Sequence, residues 1–132
     1  MRFTERELTL ALQGAAKSVL AAQDKDVRKG RRTADEAWAA LTGHQRYVML
    51  DALGAQLLGV LVALPDVEVA IGTRPTFTDA QVEAAIREQG GEDVRGLRAK
   101  VILRARVALV QLALSHVPPR ADPDALVVPD HL

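Results

Sequence analysis

HQRYVMLDALGAQLLGVLVAL, residues 44–64, is the stretch that leaves this chain the fewest options. Its length and the stop at Pro65 define a helix. That helix is apolar nearly all round, so it has to be covered on more than one side. At about 100° per residue, Leu50, Leu53, Leu57, Val60, Leu61 and Leu64 gather on one side. Ala52, Ala55, Gly59 and Ala63 gather on another. The leucine ridge belongs in a core, and the small residues admit close approach by a second helix. The segment is at the short limit for spanning a bilayer and carries Asp51 and Gln56. A central Asp costs about 2.5–3.5 kcal/mol on insertion. The reading is therefore a buried core helix, with no membrane contact.

The rest of the chain has to supply that cover. Its 132 residues are 48% hydrophobic and 26% charged, the balance of a single globular domain. Aromatic residues are only 3%. The core is then expected to be aliphatic, with closely spaced helices. Four Thr-x-x-Glu/Gln patterns mark helix starts: Thr4 with Glu7, Thr33 with Glu36, Thr42 with Gln45 and Thr78 with Gln81. In each, the side chain of one residue satisfies the free backbone donor of the other. Phe3 with Leu8, and Phe77 with Val82, stand where hydrophobic staples form. Gly90-Gly91 and Pro118-Pro119 stop helices, and Glu92 and Asp93 suit the start of one. The expected fold is all-α, a five-helix bundle over about 5–22, 34–41, 44–64, 79–89 and 93–116. Residues 117–132 form an extended, proline-rich tail of the same domain.

Between the third and fourth helices, Val67, Val69 and Ile71 alternate with Asp66, Glu68 and Ala70. This allows at most one short strand near 67–71, pairing with Ala125 to Val128 or with a second subunit, or else an anchored loop.

The last helix has two apolar faces. Val94, Leu97, Val101, Ala108 and Leu112 share one; Leu103, Val107, Val110 and Leu114 share the other, at about 150°. Lys100, Arg104 and Gln111 line one seam between them, Arg95 and Arg106 the other. Two long helices each needing double cover exceed what the remaining three provide. The expectation is a homodimer, two-fold symmetric as most closed assemblies are. Leu103, Val107, Val110 and Leu114 are candidates for its interface, and Asp51 is a candidate ion-pair partner of Arg104 or Arg106.

Chemistry leaves few traces. No cysteine is present, which excludes disulfides, thiolate-bound zinc and cysteine nucleophiles. His44, His116 and His131 lack metal-ligand spacing, and no Glu-x-x-His occurs, so neither metal nor cofactor is expected. The acidic residues do not pair as magnesium-holding motifs, and no phosphate-cradling glycine loop exists. The chain reads as non-enzymatic. Its opening, MRFTERELTL, has no signal-peptide apolar region, which points to the cytoplasm.

Seventeen basic residues balance seventeen acidic ones, poor footing for a nucleic-acid binder. The one local exception is Lys25, Arg28, Lys29, Arg31 and Arg32. They precede a short helix, a Thr42-Gly43 turn and a helix opening with Gln45 and Arg46, a helix-turn-helix outline over 34–50. Taken together, the sequence favours a helical interaction, scaffold or regulatory module acting as a homodimer. A dimeric DNA-binding regulator is the alternative.

Overall fold

The computed structural model describes residues 1–90 and 96–121. The fold is all-α. Among the described residues there are six helices and no strand: α1 (Glu5–Gln23), α2 (Lys25–Arg28), α3 (Ala34–Ala40), α4 (Gly43–Ala63), α5 (Asp79–Gly90) and α6 (Leu97–Ser115). Five were expected. The addition is α2, a single turn inside the basic run that precedes the second expected helix. Asp24 starts it by accepting from the backbone N–H of Asp26 at 2.9 Å and of Val27 at 3.0 Å. An aspartate at that position is a strong helix initiator even where only four residues follow. Residues 93–95, the expected first turn of the last helix, and 122–132 of the expected tail lie outside the described residues.

All four capping boxes form. Thr4 and Glu7, Thr33 and Glu36, Thr42 and Gln45, and Thr78 and Gln81 exchange their side chain–backbone bonds at 2.8–3.1 Å. Each fixes a helix start without reference to the rest of the fold, which is why local spacing was enough to find them.

The core is aliphatic and built around α1 and α4. Helix α1 packs on α3, α4 and α6, while α5 fills the space against α4 and α6. Of the ridge expected on α4, Leu53, Leu57, Val60, Leu61 and Leu64 are buried and Leu50 is partly buried against the core. Each leucine so enclosed contributes about 1.5–3 kcal/mol. They meet Ala11, Ala15 and Ala16 of α1, which are fully shielded. Alanines there let the helix backbones come close, and Val82, Ala85 and Ile86 of α5 close the other side. α4 is also the one described helix long and apolar enough to cross a membrane. Its ridge is occupied by the chain's own core.

No strand forms at 67–71. Val67 and Val69 pack against the core while Ile71 stays exposed, an anchored loop. Gly72 turns it with φ at +81°, a conformation glycine adopts without strain. The loop is fastened at several points. The Gly72 N–H donates to the Arg120 carbonyl at 2.8 Å, and the Arg120 N–H donates to the Thr73 carbonyl at 2.7 Å. Arg74 donates to the Ser115 carbonyl at the end of α6, and Gln111 donates to the Phe77 carbonyl at 2.8 Å. The loop's backbone partner is thus Arg120. Ala125 to Val128, the partner weighed from sequence, fall outside the described residues.

Arg120 does more. Its Nε donates to Glu7 Oε2 at 3.0 Å and its Nη2 to the Arg2 carbonyl at 3.2 Å. Glu7 is the one buried charged residue among those described, and its other oxygen caps α1.

Candidate interaction surface

Burying the leucine ridge of α4 turns its opposite side outward. Val48, Ala52, Ala55, Gly59 and Val62 lie along the outer line of the helix, and all five are exposed. Tyr47 and Leu58 flank them; Tyr47 keeps 64% of its surface exposed, Val62 62% and Val48 49%. Asp51 is the only charge among them. The line is bordered on one side by Leu12 of α1, near Gly54, and on the other by Gln89 of α5, whose side chain lies over Gly59. A contiguous apolar line of this kind is a candidate contact surface.

Helix α6 has the two apolar faces its spacing predicts, but their roles are exchanged. Val107, Val110 and Leu114, expected at the interface, are buried in the chain's own core, and Leu103 is half-buried against it. This face meets α1 and α5 and continues into the buried Val117. The other face is the bare one: Leu97 is 81% exposed and Val101 59%, with Ala108 also exposed. Leu112 is half-buried, and Val94 lies outside the described residues.

The ion pair expected between Asp51 and Arg104 or Arg106 does not form within the subunit. Asp51 sits on the outer line of α4, while α6 meets α4 from the core side, so neither arginine reaches it. Arg104 instead lines a groove of about 590 Å³ between α5 and α6, with Lys100, Arg87, Glu83 and Asp79 around a floor of Leu103, Val107 and Ala108. Within it Arg87 holds Glu83 at 2.6 Å, and Gln111 donates to Asp79 at 3.1 Å.

Two of the five cations of the basic segment are engaged with its own carboxylates. Arg31 pairs with Asp26 at 3.6 Å, and Arg32 with Asp24. Arg32, together with the Val27 N–H, holds the Asp24 carboxyl below its usual range. Lys25 and Arg28 lie in α2, and Lys29 caps it. Gln45 spends its carbonyl on the Thr42 box. Arg46 points its guanidinium back at the end of α3, donating to the carbonyl of Leu41 at 3.0 Å, of Trp38 at 3.4 Å and of Ala39 at 3.5 Å. A cation at that end complements the helix dipole. Helices α3 and α4 follow one another across the Thr42-Gly43 turn, while Gln45 and Arg46, the side chains meant to read a groove, are tied to that turn.

One polar contact escaped sequence reasoning. His116, which the sequence excludes only as a metal ligand, reaches across to α1. Its Nε2 lies 3.2 Å from Ser18 Oγ, and its ring rests on Gly14. The same groove, about 580 Å³, holds Lys17 paired with Asp35 at 2.9 Å. A glycine inside the apolar register of α1 was the available signal, since it marks a close approach. A serine beside an imidazole resembles an activated nucleophile, but that chemistry needs a third group to orient the ring. Among the described residues no carboxylate does so, and the contact is a latch between α1 and α6. Among the described residues, no three of His, Asp and Glu converge as a metal site.

No protein-family model matches this chain, and neither a curated protein nor a solved structure matches it.

Proposed function

We propose that this chain is a non-enzymatic helical module, a scaffold or regulatory domain of the cytoplasm, that acts through protein contacts and self-associates as a homodimer. The observation that carries the reading is the bare apolar line of α4, Val48 to Val62, on a subunit whose core is otherwise closed. A face of this kind is costly to leave in water, and a second copy is the partner always available at equal concentration. The nucleic-acid alternative draws less support, because Arg31, Arg32, Gln45 and Arg46 are already committed inside the subunit.

Light scattering coupled to size exclusion, run over a hundredfold range of concentration, tests the proposal. A mass moving from one to two subunits as concentration rises is the expected result. A mass of one subunit throughout, at concentrations up to the millimolar range, overturns it.

A further inference from the structure

We propose that the dimer forms by antiparallel packing of α4 on α4 of a second copy, with the two-fold axis passing between Ala52 and Ala55. This rests on the homodimer reading above and deepens it. Val48, Ala52, Ala55, Gly59 and Val62 follow one another at intervals of four, three, four and three residues, and every one is exposed. That alternation is the seam by which one helix meets another along its length. The buried side of α4 follows a broader pattern, as a helix on a mixed core does. Its outer side thus carries a second pattern, which the subunit covers only at Gly59, where the Gln89 side chain lies.

Direction follows from shape and charge. In antiparallel register the two kinds of seam position face each other, so Val48 meets Gly59 of the second copy and Ala52 meets Ala55. A branched side chain then lies over a glycine once the flexible end of Gln89 swings off it, and two alanines let the backbones approach at the short end of the 8–10 Å range of helix pairs. Asp51 and its copy are displaced along the axis by five residues, about 7.5 Å. A parallel pair would hold the two carboxylates at the same level on the seam, where like charges repel.

The bare face of α6 suits a second copy less well. Arg98, Lys100 and Arg104 crowd Leu97 and Val101 there, and a two-fold axis on that face doubles the positive charge. Extent fits as well. Half the surface of a cylinder the length of α4 is about 500 Å², or about 1,000 Å² for the pair. That is the lower bound for a specific interface.

The chain contains no cysteine, so single cysteines can be introduced without background and treated with a short bismaleimide. In the proposed register Ala55→Cys lies beside the axis and cross-links. Val62→Cys is separated from its copy by about 25 Å along the helices and does not. Ala55→Arg, at an exposed position, keeps the helical signal by circular dichroism and weakens dimerisation by at least about 100-fold. Cross-linking at both positions overturns the antiparallel register in favour of a parallel pair. Cross-linking at neither, with Val101→Cys cross-linking and a dimeric mass retained, places the interface on α6 and leaves the homodimer standing. A monomeric mass for the unaltered chain removes both.

Discussion

The ring of His116 lies so close to α1 that a Cβ on Gly14 would stand 2.1 Å from its Cγ and 2.4 Å from its Cβ. Neither atom is at the free end of the side chain, so an alanine at 14 has to displace the start of the His116 residue and with it the end of α6. Gly14→Ala is expected to destabilise by about 1–3 kcal/mol, measured by urea unfolding. In a His116→Gly background the obstruction is gone, and the same change should stabilise by about 0.5–1 kcal/mol through helix propensity. A cost that persists in that background would show the contact to be incidental.

Glu7 gives the clearest pH dependence. Burial pushes its carboxyl up, but the Thr4 N–H and the Arg120 guanidinium pull it down further, leaving it below the ordinary glutamate value. A depressed value in the folded state means that the stabilisation is complete above the unfolded value of about 4.3. It is lost as pH falls through the folded one. Glu7→Gln keeps a capping side chain and removes the charge. It should cost about 1–2 kcal/mol at pH 7, and the gap between the two proteins should close below pH 4. A gap independent of pH would contradict this account.

Exchange of the two faces of α6 predicts opposite outcomes for two similar leucines. Leu114→Ala should cost about 2–4 kcal/mol of subunit stability by opening a cavity. Leu97→Ala should change it by less than about 0.5 kcal/mol. Denaturant midpoints of the dilute, monomeric protein decide between them.

Nucleic-acid binding is expected to be weak and nearly independent of salt. Anisotropy of a labelled generic duplex should give a log–log salt slope shallower than about −2. A slope of −4 or steeper, lost when Lys25, Arg28 and Lys29 are neutralised, would restore the DNA-binding reading. Arg46→Ala is expected to act on stability instead, costing about 1 kcal/mol through the end of α3.

What the sequence made legible was local. The capping boxes, the ridge of α4 and the two faces of α6 all depend on residues within a few turns of one another, and periodicity records them. Which face of α6 turns inward was not legible, because both are apolar and the choice is made by α1 and α5. Asp24 and its short helix were obscured by the charges around them, although an Asp initiator is itself a local signal. The Glu7–Arg120 pair, the His116 latch and the return of Arg46 to α3 join residues whose spacing follows no period. The outer line of α4 was visible as small residues, but only the burial of the opposite side shows it to face outward.

Arg120 fastens the first turn of α1 and the loop between α4 and α5 at the same time, yet it is synthesised after all of them. On the ribosome, α1 can close its cap early, but its buried carboxylate must wait for a counter-charge that emerges 113 residues later. Full cooperativity therefore waits for this arginine, and a chain cut just short of it would leave both α1 and the loop loosely held.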